Sequence, residues 1–205
     1  MQRLVPGERA GTARGQQLQA QGPGVEPEDR PRGGPQHQTG GRCAFRHVTT
    51  ITGYMPLQWK LVIDSRNAPA LADFWAAALD YEVEDPSPLV ERLLAAGHIG
   101  EEAVAEHGGR RLFRGYAAVR HPEDPFDELS GIGHGRRLLF QDVPEDKTVK
   151  NRLHIDVHRP RDTGLGELVA RLEGLGATRV REEDQGPAGH WWVMRDPEGN
   201  EFCAS

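Results

Sequence analysis

Three polar side chains alternate along NRLHIDVH, so that His154, Asp156 and His158 share one face of an extended segment and Leu153, Ile155 and Val157 share the other. An imidazole titrates near neutrality and a carboxylate beside it can orient it, which equips this stripe for proton transfer. The plainer alternatives are a histidine bonded to a neighbour on its own face and, for His158 beside Arg159 and Pro160, a solvated strand end. Near the C-terminus, Trp191 and Trp192 point to opposite faces if they lie in a strand. One then packs against a helix and the other walls a cavity suited to an apolar or planar ligand, with Trp192 assigned to the cavity. Cys203 reads either as a small buried hydrophobe or as a thiolate able to ligate a soft metal such as zinc, and no activating neighbour stands beside it in sequence.

Other chemistries lack their parts. There is no phosphate-cradling glycine loop, no Gly-x-Ser-x-Gly and no Cys-x-x-Cys. The glycines of GIGHG, 131–135, are followed by no helical pattern and read as a loop before a strand. A formal net charge of −6 over 205 residues argues against nucleic acid as a partner. No apolar run reaches the length of a membrane span and none resembles a signal-peptide core, so a cytoplasmic protein without a membrane partner is expected. Cys43 and Cys203 stand in unlike contexts, and no disulfide between them is expected.

The elements that must position these residues begin after a long preface. Residues 1–54 are rich in Gly, Gln, Arg and Pro, without aliphatic periodicity, and are expected to be disordered. They serve as a flexible tail, or else translation begins at Met55. LQWKLVID then alternates as a strand, with Trp59, Leu61 and Ile63 on one face and Gln58, Lys60 and Val62 on the other. A helix follows, carrying Leu71, Phe74, Trp75, Ala78 and Leu79 as its apolar stripe, and then a short strand at 81–84. The second half repeats this order. Its first strand is 151–158. Its helix starts at Asp162 or Thr163, buries Leu165, Leu168, Val169 and Leu172, and stops at Gly174 and Gly176. A strand from Thr178 comes next, and a terminal hairpin closes on Asp196-Pro197-Glu198-Gly199, whose residue types suit a type I turn. Between the halves lies a long connection, 85–136. Ser87-Pro88 should open a helix there with Leu89, Leu93, Leu94 and Val104 as its apolar residues, while 115–120 and 136–144 supply the third and fourth strands. An insertion of this length serves as a cavity wall or as cover for a sheet edge.

Strand, helix, strand, strand, strand, used twice, resembles the vicinal-oxygen-chelate superfamily of glyoxalases, bleomycin resistance proteins and dioxygenases. The Asp-Pro-Glu-Gly-Asn turn at 196–200, Ala-Asp-Phe-Trp-Ala-Ala-Ala-Leu at 72–79 and Lys-Asn-Arg-Leu-His-Ile-Asp at 150–156 carry the likeness together, and look most like its actinobacterial-type glyoxalase-like subgroup. The resemblance implies an α+β fold of two βαβββ modules, 57–144 and 151–205 within a domain 55–205. They would pair as a curved mixed sheet around a ligand cavity, helices outside, within one chain or across a homodimer.

Metal-dependent relatives hold one divalent ion with side chains from the first, fourth, fifth and eighth strands, usually His, Gln or Glu. Mapped on this chain those positions fall on Lys60 (or Gln58, if the register slips by two), Gln141, His154 and Cys203. A protonated lysine repels a cation and the carboxylate is missing, so no cofactor and no complete metal site is expected, with His154 and Gln141 the best ligands should an ion bind. The resemblance then implies a small-molecule ligand in a cavity where Lys60 holds an anionic group and His154 moves a proton, as in a lyase or isomerase, with Gln58, Gln141, Asp156, Trp192 and Cys203 around it. Two alternatives remain open. One is a drug- or metabolite-sequestering protein of the bleomycin-resistance type. The other is a metal-dependent lyase or dioxygenase using Gln58, Gln141, His154 and Cys203.

Overall fold

A computed structural model describes residues 59–205. The expected tail, 1–54, and the candidate Gln58 lie outside the described residues. The first module runs β1 (Leu61–Ser65), α1 (Ala68–Leu79), β2 (Glu82–Val83), α2 (Ser87–Ala95), β3 (Val104–His107), β4 (Arg110–Phe113), β5 (Tyr116–Arg120) and β6 (Arg137–Asp142). The second runs β7 (Asp156–Val157), α3 (Leu165–Gly174), β8 (Thr178–Asp184), β9 (His190–Arg195) and β10 (Glu201–Ala204). Each module forms a four-stranded sheet, in the orders β1-β6-β5-β2 and β7-β10-β9-β8. In both, the outer first strand pairs parallel with the last and every other pairing is antiparallel. The fold is therefore α+β, a βαβββ unit used twice.

Local sequence explains the main elements. In β1, Leu61 and Ile63 pack against the core while Val62 and Asp64 face outward, as a period of two requires. The Asn67 side chain caps α1 by accepting the Ala70 N–H at 3.3 Å, Pro69 occupies the first turn, and Asp80 ends the helix in the left-handed region at φ 54°. The stripe Leu71, Phe74, Trp75 and Ala78 is buried, and Trp75 meets Phe202 of β10 edge to face at a centroid separation of 5.3 Å. The helix of one module thus shares its core with the last strand of the other. Leu168, Val169 and Leu172 of α3 complete that cluster.

The terminal turn joins the modules a second time. The Gly199 N–H donates to the Asp196 carbonyl at 2.9 Å, closing the expected turn, and the Asp196 carboxylate accepts the Glu198 and Asn200 N–H groups at 3.0 and 2.9 Å. Asp196 is only 3% exposed and also accepts Trp75 Nε1–H at 3.3 Å. Glu198 reaches into module one, where its carboxylate accepts from Ser65 Oγ at 2.8 Å and from the Arg66 and Asn67 N–H groups, each at 2.9 Å. Those amides precede the first turn of α1, where backbone donors lack helical partners.

Five expectations need correction. The apolar run beyond α2 does not continue as helix to Val104. Val104 is buried in β3, which turns through Gly108 and Gly109, both at positive φ, into β4. Val90, not Leu89, Leu93 or Leu94, is the buried residue of α2. The strand at 151–158 shrinks to β7, because the Asn151 N–H is taken by the Glu201 carboxylate at 3.0 Å rather than by a strand neighbour, and Leu153 is 76% exposed. Finally, α3 begins at Leu165 with Gly164 as its cap residue, whose N–H the Glu167 carboxylate accepts at 3.3 Å. Trp59, expected on the apolar face of the first strand, precedes β1 and is 87% exposed.

Candidate functional site

Parity along the strands of module two sorts side chains between core and outer face. Phe202 and Ala204 of β10 and Met194 of β9 are buried in the core, so Glu201 and Cys203 point the other way, opposite Arg195 and Val193 in register. Asp156 of β7 pairs with Cys203 and adds its carboxylate to that face. His154, two residues earlier, turns its Nε2 to Asp156 Oδ1 at 3.2 Å. The donor atoms of His154, Asp156 and Cys203 all lie within 4.8 Å of one another. They line one end of a cleft of about 360 Å³, with Trp191 and His190 among its other walls. His154 also lines a groove of about 350 Å³ between β1 and the segment 151–155, floored by Trp75 and Phe202. This histidine therefore stands where two clefts meet.

The other sequence candidates are placed differently. Trp192 packs against the core with the Arg179 guanidinium 5.1 Å from its ring centroid, and Trp191 is the tryptophan in the cleft. The parity of β9 against β10 decides this, and the two adjacent tryptophans could not reveal it alone. Lys60 is exposed, just before β1, and lines neither cleft that His154 lines. Gln141 is half-buried on β6, flanked in register by Asp64 and Tyr116, and also lines neither. His158 lines neither cleft, and its Nδ1 meets Ser205 Oγ at 2.7 Å.

Charge within the face is governed by Asp156 and Glu201. Burial raises the Cys203 thiol above its ordinary range, and the Asp156 carboxylate raises it further as a charge and as a hydrogen-bond partner. The sulfur is thus held as a thiol that donates to Asp156, not as a free nucleophile. For Asp196, burial dominates and raises the carboxyl above the usual range, against the bonds from Asn200, Trp75 and Glu198.

At Glu201 burial pulls upward, yet the Asn151 N–H and the Lys147 ammonium outweigh it and hold the carboxyl at about 2. An acid depressed in the folded state stabilises the fold above its ordinary pKa, near 4.5, and that contribution fades as pH falls toward about 2. Glu201→Gln is accordingly expected to lower stability by about 1 kcal/mol at pH 7, after allowance for solvent screening, and by progressively less below pH 4.5. Urea unfolding at several pH values measures it; an equal loss at pH 7 and pH 3 would show that charge is not the cause.

The sheet order, the repeated module and the outward polar face agree with the expectation drawn from the 196–200 turn. A family model described as Glyoxalase-like domain matches residues 60–205, and the chain belongs to that family. No curated protein matches the chain. Among solved structures it is similar to a glyoxalase/bleomycin resistance protein/dioxygenase family enzyme from Burkholderia phytofirmans, at 13% identity and a TM-score of 0.43, covering 71% of this chain and 94% of that one. It is also similar to a variant of the fosfomycin resistance protein FosX from Listeria monocytogenes, complexed with Mn(II) and 1S,2S-dihydroxypropylphosphonic acid. There the identity is 9% and the TM-score 0.43, over 74% of this chain and 90% of that one. No helix among the described residues is long and apolar enough to cross a membrane.

Proposed function

We propose that this glyoxalase-like protein binds a small organic molecule in the cleft of module two and that His154 exchanges a proton with it, as a lyase or isomerase requires. The observation that carries this reading is the convergence of His154, Asp156 and Cys203 with Trp191 on one cleft of about 360 Å³. Asp156 engages Nε2 of His154 and leaves Nδ1 for the ligand, so the carboxylate orients the ring. Trp191 offers a flat apolar wall against which a planar molecule can lie. Lys60, just before β1, does not line this cleft, and Asp156 takes its place as the partner of His154.

A second reading, that a divalent ion sits at the same face, is favoured by the donor set itself. Imidazole, carboxylate and thiolate suit zinc or a similar borderline ion, whose binding would release the Cys203 thiol proton to solvent, and three side chains are the number a catalytic zinc commonly keeps. His154, Asp156 and Cys203 would hold it, without Gln141. The ion would supply Lewis acidity toward a ligand oxygen.

One experiment separates the readings. The full-length protein is incubated with Zn, Mn, Fe(II), Ni and Co, freed of excess and analysed for metal, beside His154→Ala and Cys203→Ser. About one equivalent of zinc, with affinity reduced about tenfold or more in both variants, is the result expected of the metal-bound site. Retention unchanged in both would overturn it. No retained ion would leave His154 and Asp156 as a metal-free acid–base pair, and failure of His154→Ala to alter any ligand's binding would then overturn that as well.

A further inference from the structure

Module one carries a further, half-open cavity that shares no lining residue with the two clefts at His154. Segments 84–115 and 121–136, which fold as α2, the β3–β4 hairpin and the loop at 130–132, lie over the sheet surface turned away from the core. They leave a space of about 300 Å³. Its walls are Leu89 from α2, Leu112 and Phe113 from β4 and Leu139 from β6, and its volume is at the small end of small-molecule sites, roughly 300–1,000 Å³.

The roof is fixed rather than loosely draped. Gly131 sits at φ 71° against the Asp85 backbone, where a Cβ would come within 2.6 Å of the Asp85 carbonyl oxygen. At Gly133 a Cβ would come within 2.8 Å of Arg120 Cβ. Only glycine permits so close an approach of loop to sheet.

The charged residues in this wall cancel. Glu84, 5% exposed, accepts from Arg137 Nε at 2.6 Å and Nη2 at 2.7 Å, and from the Gly133 N–H at 2.9 Å. This forked pair leaves no net charge for a ligand to neutralise. An anion entering here would lose its hydration and find its only cation already satisfied. Tyr116, half exposed in the same wall, supplies a neutral hydroxyl, while Ser130 Oγ is engaged by Asp127 at 2.7 Å.

We infer that the module-one cavity is a binding site for an uncharged, mostly apolar small molecule with one hydrogen-bonding group, separate from the cleft around His154. The probes are 1-naphthol, neutral at pH 7, and 1-naphthoate, its anionic counterpart, titrated into the full-length protein by calorimetry. Naphthol is expected to bind about tenfold or more tightly than naphthoate, the scale on which one uncompensated charge acts. Leu139→Trp fills the cavity from the sheet and Leu89→Trp fills it from α2, so at least one folded variant, checked by circular dichroism, should lose about tenfold or more in naphthol affinity. Glu84→Gln frees the Arg137 charge and is expected to reverse the preference toward naphthoate. Three results would each overturn the inference: no binding of naphthol to the wild-type protein, wild-type preference for naphthoate, or naphthol affinity unchanged in both tryptophan variants. The last would mean that the probe binds elsewhere, the module-two cleft included.

Discussion

Glu198→Ala is expected to lower the unfolding free energy by about 2–4 kcal/mol, although the residue lies in a surface turn. Its carboxylate accepts from three donors of another module, Ser65 Oγ and the Arg66 and Asn67 N–H groups. Two of these donors lie at the entrance to α1, where the helix dipole also favours negative charge. Alanine removes the acceptor and leaves those backbone groups to find water, and charge-assisted bonds are the stronger kind. Glu198→Gln should recover part of the loss, because an amide oxygen still accepts but carries no charge. Urea unfolding of the three proteins measures this, and a loss below about 0.5 kcal/mol for alanine would show that the turn does not fasten the modules.

Glu84→Ala should cost about 3–5 kcal/mol, since it strands the Arg137 guanidinium in a largely buried site without its partner. The side chains of Glu84 and Arg137 are 5% and 13% exposed, so solvent cannot replace the lost carboxylate well. The double variant Glu84→Leu/Arg137→Met removes both charges and should recover most of the loss. It will still leave the Gly133 N–H, which Glu84 accepts at 2.9 Å, without that partner, at about 1–3 kcal/mol. Thermal unfolding of single and double variants provides the cycle. Equal destabilisation by the two would show that the cost lies in packing, not in the stranded charge.

Much of the framework was legible because it depends on local period. The alternation of β1 and the stripe of α1 need no knowledge of partners, and Asp-Pro-Glu-Gly announces its own turn. The β3–β4 hairpin was missed despite the turn signal Gly108-Gly109, because the apolar residues before it also fit a helix. The module-two site was legible in part. Alternation places His154 and Asp156 on one face, yet the face of Cys203, and of Trp191 in place of Trp192, depends on the pairing of β9 with β10. The ion pair of Glu84 with Arg137 was not legible. It forms because β5 lies between β2 and β6, and nothing near either residue in sequence states that order.

The segment by which this chain is most readily recognised, 196–200, carries little information about what the protein does. Its aspartate shapes the turn and receives Trp75, and its glutamate fastens the start of a helix in the other module. These are tasks of assembly, addressed largely to backbone groups that any residue supplies. A signature of this kind recurs wherever the architecture does, whatever molecule the surrounding clefts accept. Kinship and activity are thus written in separate parts of the chain, the first in a turn at its end, the second in the faces that the turn holds in place.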